Sequence, residues 1–335
     1  MAPLKSLEQR YPIIDSNFQS FCASHGIFSV EDFLLHDMHA LVVSAEQHNT
    51  SARLKQGINQ VLASIDALHQ PWLNGMELLE DALQHKNILS TGCQCIDDFL
   101  NGGLRGGHLI ELVGPSSSGK TQVCFMIASN VAKSSGRVVF LDTCNSFSPK
   151  RVAEVVSQMS DNSTSKHVMS NIVCYSVFDI FTMLDVVHHL KSTMRSQDMQ
   201  SGCRARMLII DSISSLITPV LGGSGAHGRA LMASAGFILK QLADEHNLPV
   251  LVTNHMVAGE AGLLKPALGE SWKSIPHIRL LLSRDSTRHI SSISVLKHPN
   301  MVCSLNRCHL LSLMIDSPQN GFHHEWHSFH PDLRV

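Results

Sequence analysis

Residues 114–121 read Gly114-Pro115-Ser116-Ser117-Ser118-Gly119-Lys120-Thr121, a complete G-x-x-x-x-G-K-[ST] string. An apolar run, Leu109-Ile-Glu-Leu-Val113, leads into it, and a segment with helical spacing, Gln122–Lys133, follows. Small residues let such a loop wrap, so that its N–H groups and the helix N-terminus point at phosphate oxygens. Lys120 is expected to neutralise the β- and γ-oxygens, and the Thr121 hydroxyl to ligate Mg²⁺. The expected nucleotide-binding residues are the eight of the string together with Gln122, and the expected cofactors are ATP and Mg²⁺.

The other half of a nucleotide–magnesium site is an acid that closes a buried strand. Met207-Leu-Ile-Ile-Asp211 supplies one, which makes Thr121 and Asp211 the expected metal pair. Asn254 and His255 end another apolar strand and are neutral polar groups expected to sense the γ-phosphate. For His255, a polar strand end at the sheet rim is the plainer alternative. Asp142 is the only carboxylate at the tip of Arg137–Thr143; it either positions a water or caps a turn.

Strand and helix alternate from Leu89 onward. The expected strands are His108–Val113, Arg137–Thr143, Asn171–Val177, Arg206–Asp211 and Leu248–Asn254. The helices between them are Gln122–Lys133, Pro149–Met159, Asp179–Met194 and Arg229–Asn247. This alternation predicts a mostly parallel, twisted α/β sheet covered on both faces. Ile278–Ser283, His289–Leu296 and His309–Ile315 follow at short intervals and are expected as antiparallel strands at one edge. Residues 1–70 look helical: Ser29 precedes Asp32 by three, as an N-cap does, and Ile58, Val61, Leu62, Ile65 and Leu68 recur at helical spacing. The Pro71–Gly75 stretch breaks that pattern.

Lys and Arg total 26, and Asp and Glu total 28, over 335 residues, a formal charge of -2. That excludes a chain that grips phosphate by bulk positive charge, and equally an acidic solvating tail. The 21 histidines weaken the constraint, because near pH 6.5 half of them would lift the charge to roughly +8. Nine cysteines are an odd number and too sparse for a disulfide scaffold. No secretory-type apolar run opens the chain, and no stretch has the roughly 18 apolar residues that span a bilayer. A soluble intracellular protein with reduced thiols and no membrane partner is expected. Cys93 and Cys95 lack partners at zinc spacing, and His323, His324, His327 and His330 read as a solvated tail.

Together these pieces resemble the RecA-like recombinase family in its archaeal and eukaryotic branch. The carriers are Leu89-Ser-Thr-Gly-Cys-Gln-Cys-Ile-Asp-Asp-Phe-Leu-Asn-Gly-Gly-Leu104, GPSSSGKTQVC at 114–124, LIIDS at 208–212 and LVTNH at 251–255. Near the N-terminus, His25-Gly-Ile-Phe-Ser-Val-Glu-Asp-Phe-Leu34 is similar to part of the family's small helical domain. Phe178–Val186, Leu221–Gly223 with Arg229–Met232, and Leu264–Trp272 are more similar to a paralogue than to the strand-exchange recombinase itself. The resemblance implies a RecA-type P-loop NTPase core behind a small all-helical domain. Its expected divisions are 1–70 helical, 71–87 linker, 88–316 core and 317–335 a divergent, His-rich tail. It also implies a nuclear, ATP-binding subunit in homologous recombination repair of double-strand breaks. Such a subunit joins other paralogues and assists the recombinase on single-stranded or branched DNA.

Departures from the family pattern shape the expectation. The recombinase has a water-activating glutamate where this chain has Cys144, in Asp142-Thr143-Cys144-Asn145, so hydrolysis is expected to be slow at most and no catalytic residue is assigned. The recombinase's Phe-x-x-Ala polymerisation plug is missing between Pro71 and Asn87, so a homopolymer is not expected. Phe125-Met-Ile-Ala128 fits the string but lies on the helix after the loop. Two loops, Thr218–Gly228 and Met256–Ser271, fill the DNA-facing positions, with Arg229, Lys265 and Lys273 as their cations and Trp272 as either a stacking ring or a core residue. Two rivals stay open: an active DNA-dependent ATPase or strand-exchange enzyme, and a structural adaptor with a vestigial nucleotide site.

Overall fold

A computed structural model of the chain describes residues 3–8, 11–66, 74–84, 87–134, 136–159, 162–196, 204–222, 226–259, 264–285, 290–299 and 307–311. It divides into two units, Met1–Gln84 and His85–Val335.

The first unit is helical: a 3-10 turn at Leu4–Leu7, then α1 (Ser16–Ser24), α2 (Val30–Leu35), α3 (Met38–Glu46), α4 (Ser51–Asp66) and α5 (Gly75–Gln84). Polar side chains set where these helices begin. Asp15 accepts from the Phe18 N–H at the start of α1, and Asp37 from the N–H groups of His39 and Ala40 at the start of α3. Ser29 and Asp32 form a reciprocal capping box at the start of α2. The apolar face of α4 then buries Leu54, Ile58, Val61 and Ile65 against Phe18, Phe33 and Leu41. Helix α5 lies within the segment expected as a linker, and its Met76, Leu78, Leu79 and Leu83 are exposed.

The second unit opens with β1 (Ile88–Leu89) and β2 (Leu104–Arg105), an antiparallel pair on either side of α6 (Gln94–Phe99) in the chain. Next come β3 (Leu109–Gly114), α7 (Lys120–Lys133), β4 (Arg137–Asp142), α8 (Pro149–Met159), α9 (Asn162–Ser170) and β5 (Ile172–Ser176). The chain continues through α10 (Ile180–Ser196), β6 (Ala205–Asp211), α11 (Ile213–Leu221), α12 (Ala226–His246) and β7 (Val250–Ala258). It ends with β8 (Leu264–Pro266), α13 (Gly269–Lys273), β9 (Ile278–Asp285), β10 (Ile290–Lys297) and β11 (Arg307–Leu311). The main sheet runs β11-β10-β9-β3-β7-β6-β4-β5, with β8 paired to the far end of β7. Strands β3, β4, β5, β6, β7 and β9 are parallel.

Strand alternation decides what each face carries. Ile110, Leu112, Val138, Phe140, Met207, Ile209 and Leu251 face the layer of α7, α8 and α9. Leu109, Val139, Leu141, Leu208, Ile210, Val250 and Val252 face α10 to α13. Both faces are covered, as a parallel sheet requires. Phe125 and Ala128 are buried in the first of these layers.

Two expectations are corrected. The antiparallel edge begins at β10, because β9 is parallel to β3. The chain reaches β9 through β8 and α13, a crossover rather than a hairpin, and so enters in the direction of β3. The expected loops are also largely structured. Ser212 caps α11, which runs to Leu221, and α12 starts at Ala226. After it, β7 continues to Ala258, and β8 and α13 fill most of the rest of the second segment. Residues 223–225, 260–263 and 317–335 lie outside the described residues.

Candidate nucleotide site

Gly114 closes β3 under tight walls. A Cβ there would lie 2.5 Å from Ser118 Oγ and 2.6 Å from the Leu282 carbonyl oxygen, so only glycine lets the loop turn. Ser117 (φ 60°) and Gly119 (φ 99°) then take left-handed backbone, and Gly119 is the N-cap of α7. Ser118 Oγ is buried with no hydrogen-bond partner among the described residues, while Ser116 and Ser117 are exposed. Gln122 accepts from Arg151 Nε at 2.8 Å.

Lys120 is almost wholly buried, and its ammonium donates to the carbonyls of Gly114 at 2.8 Å and Pro115 at 2.9 Å. Burial pulls its pKa below the usual lysine range, and the nearby Asp211 charge works the other way. Thr121 Oγ1 donates to Asp211 Oδ2 at 2.6 Å. The same carboxylate accepts from Thr253 Oγ1 on β7. A lysine cation, a hydroxyl–carboxylate pair and an orphaned serine hydroxyl therefore surround one glycine-walled loop. That donor set suits the phosphates of a nucleotide and a hard divalent cation.

The strand ends beside the loop are stitched together by hydroxyls. Thr143 Oγ1 accepts from the Ser212 N–H at 2.6 Å, and the Thr143 N–H donates to the Asp211 carbonyl at 3.0 Å. His255 Nε2 lies 3.0 Å from Ser212 Oγ, and the His255 N–H donates to Ser214 Oγ at 3.1 Å. Burial first, and then the Lys120 charge, hold the His255 pKa below the ordinary histidine value. It is therefore a neutral imidazole at neutral pH.

Asp142 resolves to the structural alternative. It is buried and accepts from the N–H groups of Cys144, Ser146 and Phe147, so both its oxygens hold the turn after β4. Cys144 is exposed at that turn.

Asn254 is corrected. It has the strand parity of Val250 and Val252, which places it on the α12 face, and its amide donates to Glu111 Oε1 at 2.7 Å. The structure therefore turns Asn254 into the interior and leaves the His255 side chain on the face of the loop. Trp272 is also a core residue: it is wholly buried, and its Nε1 donates to Glu111 Oε1 at 2.9 Å. Arg229 on α12, Lys265 on β8 and Lys273 at the end of α13 are exposed. Lys273 pairs with Glu270 at 3.2 Å.

Thr143, Ser212, Thr253 and Glu111 are site neighbours that sequence reading passed over. For Thr253 a signal existed, since it has the parity of Leu251 and so shares the α7 face with Asp211. Among the described residues, no cluster of three or more His, Cys, Asp or Glu side chains suits a metal ion. Cys93 and Cys95 face each other with sulfurs 3.1 Å apart. No helix among the described residues is long and apolar enough to cross a membrane.

The Rad51 family model matches residues 84–292. The DNA repair protein RAD51 homolog 4 of Bos taurus is 33% identical over 286 residues, covering 84% of this chain and 85% of that protein. Its Mus musculus counterpart is 37% identical over 213 residues, covering 63% and 65%. The human DNA repair protein RAD51 homolog 2 is 25% identical over 317 residues, covering 82% and 79%. Among solved structures, the RadB recombinase superposes with a TM-score of 0.55 at 23% identity, covering 66% of this chain and 94% of that one, a likeness of fold.

Proposed function

This chain belongs to the Rad51 family of RecA-like ATP-binding proteins of DNA repair and recombination, and from that membership we propose that it is a paralogue of the D type. In this reading it is a nuclear subunit that joins other paralogues and assists the strand-exchange recombinase on single-stranded or branched DNA. The similarity to RAD51 homolog 4 proteins supports the type. The division into a helical segment 1–70, a linker 71–87, a core 88–316 and a tail 317–335 belongs to the same proposal.

Mg-ATP is the ligand of the loop. Gly114 to Gln122 wrap the phosphates, Lys120 exchanges its two loop carbonyls for phosphate oxygens, and Thr121 and Asp211 hold the metal. His255 faces the same side of the sheet and meets the γ-phosphate as a neutral hydrogen-bonding group. The observation that carries the reading is the 2.6 Å contact of Thr121 with Asp211 beside a lysine bonded to two loop carbonyls.

Turnover is slow in this reading. Both oxygens of Asp142 are engaged by backbone N–H groups, and Cys144 stands where the family's glutamate activates water. DNA affinity from Arg229, Lys265 and Lys273 is modest and falls with salt. Saturable, Mg²⁺-dependent binding of a fluorescent ATP analogue to the full chain tests the site. Absence of such binding overturns it. Long homopolymers formed on ATP and DNA would overturn the assembly reading.

A further inference from the structure

Outside the nucleotide site, two polar clusters stand in the core layers. In one, Glu111 accepts from Asn254, Trp272 and Arg279, and all four side chains are sealed in the interior. The other is a pair of thiols with a route to solvent. Cys93 and Cys95 flank Gln94 where α6 begins, and their sulfurs lie 3.1 Å apart. Cys93 is buried in the layer of α7, whereas Cys95 is half-buried. The Cys93 thiol is held protonated, first by its contact with Cys95 and then by burial. Of the other described cysteines, Cys22 and Cys124 are buried and Cys144 and Cys174 are exposed.

The backbone that carries the pair is fixed from two sides. The Asp97 carboxylate on α6 accepts from Ser90 Oγ at 2.6 Å, from the Thr91 N–H at 2.8 Å and from Thr91 Oγ1 at 2.7 Å. The Cys93 N–H donates to Thr91 Oγ1 at 3.2 Å. Gly92 turns between them in left-handed backbone (φ 82°), and a Cβ there would lie 2.9 Å from the Asn130 Cβ on α7. Asn130 in turn donates to the Ser90 carbonyl at 2.9 Å. The turn is therefore clamped by a carboxylate of α6 and an amide of α7. The two sulfurs are held together, so a bond between them forms in an effectively unimolecular step.

We propose that Cys93 and Cys95 are a redox-modification site, at which hydrogen peroxide converts the dithiol into a disulfide and a thiol of the glutathione class reverses it. The more exposed Cys95 meets the oxidant. Its thiolate attacks one peroxide oxygen and the O–O bond breaks. The departing hydroxide takes up the proton that Cys95 released, which leaves a sulfenic acid and one water. The Cys93 sulfur then attacks the sulfenic sulfur. The S–S bond forms as the S–O bond breaks, and the hydroxide leaves with the Cys93 proton as a second water. Two thiols and one peroxide thus give one disulfide and two waters. Where thiols are kept reduced, such a bridge is transient and redox-sensing, and its partly exposed position makes it labile.

Cleavage after Lys86 and Arg105 releases one tryptic peptide, residues 87–105, that carries both cysteines and no other. The full chain is treated with hydrogen peroxide in increasing dose, denatured in an alkylating agent and digested. This peptide is expected to emerge without alkyl groups and lighter by two hydrogens. Reduced glutathione, added before alkylation, should restore the doubly alkylated form. Cys93→Ser should leave Cys95 as a sulfenic acid that dimedone traps. Cys95→Ser should leave Cys93 alkylated and unoxidised at the same dose. The exposed Cys144 gauges the dose, and the unsubstituted chain alone decides the matter if a variant fails to fold. A peptide that stays doubly alkylated at doses that oxidise Cys144 overturns the proposal. So does a bridge from either thiol to a third cysteine, a disulfide that glutathione leaves intact, or Cys95 driven to sulfinic acid with Cys93 still alkylated.

Discussion

Thr121 Oγ1 and Asp211 Oδ2 meet at 2.6 Å although 90 positions separate them in the chain and β7 lies between their strands in the sheet. Helix α7 spans the gap by leaving β3 and crossing β7 toward β6. The pair proposed to hold the metal therefore depends on a helix crossing rather than on neighbouring strands. Thr121→Val keeps the shape of the side chain and removes the hydroxyl. It is expected to weaken Mg²⁺-dependent nucleotide binding by about tenfold, near the ~1.5 kcal/mol of one bond to a charged group. Parallel titrations with and without Mg²⁺ check this, and equal loss in both arms counts against a metal role.

Lys120→Ala removes the one cation inside the loop. Loss of about tenfold to a hundredfold in ATP-analogue affinity is expected, with the unfolding midpoint in urea little changed, because the lysine's present partners are carbonyls of its own loop. Unchanged affinity would favour a vestigial site.

Cys144→Glu restores a carboxylate where the family carries one. The side chain is exposed and the turn is held by Asp142, so folding should be undisturbed. Turnover of Mg-ATP is expected to rise at least about tenfold, the low end of what a positioned base contributes. A phosphate-release assay with and without single-stranded DNA measures it, and an unchanged rate removes Cys144 as the cause of the proposed slow hydrolysis.

Asp142→Ala leaves the N–H groups of Cys144, Ser146 and Phe147 without their acceptor. Destabilisation of about 1–3 kcal/mol is expected from urea unfolding. Asp142→Asn, which retains one acceptor oxygen, should cost less. A loss of turnover with full stability would instead make Asp142 a base.

Acid should weaken the fold from the opposite end of the sheet. His108 and His277 stack at 5.0 Å. Burial, then the charges of His277, Arg105 and His298, push the His108 pKa down to about 4. Burial also lowers those of His277 and His298. Between about pH 6.5 and 4 the unfolded chain therefore holds more protons than the folded one. Stability is full above that window and declines as pH falls through it. Urea midpoints at about pH 7.5 and about 5.5 should show the drop, and His108→Gln should flatten it. A stability curve that rises on acidification would contradict the assignment.

The phosphate loop was legible because its residues are contiguous and each has a local reason to be there: Gly114 for a wall, Gly119 for a left-handed cap, Lys120 for charge. Asp211 was legible as an acid after an apolar run. The separate fates of Asn254 and His255 were within reach too, since counting from Val250 assigns them to opposite faces. The Glu111 cluster was not. Its partners stand 143, 161 and 168 positions away, and no local pattern announces a buried charge whose compensation comes from three other elements. The segments expected as loops failed for a related reason: α11 starts on a Ser212 cap directly after Asp211, so the acid that closes β6 and the helix cap are neighbours in one short stretch.

Strand β7 has to be counted in whole residues. Removing one position between Val250 and Thr253 would reverse the faces of Thr253, Asn254 and His255 together, carrying the Asn254 amide to the α7 side, turning the His255 imidazole toward Glu111 and taking Thr253 away from Asp211. Substitution scans never sample that phase shift. Length variation in this strand is therefore tolerable only beyond His255, where β7 leaves the main sheet to pair with β8. Ahead of that point, reading frame within the strand is itself a functional property.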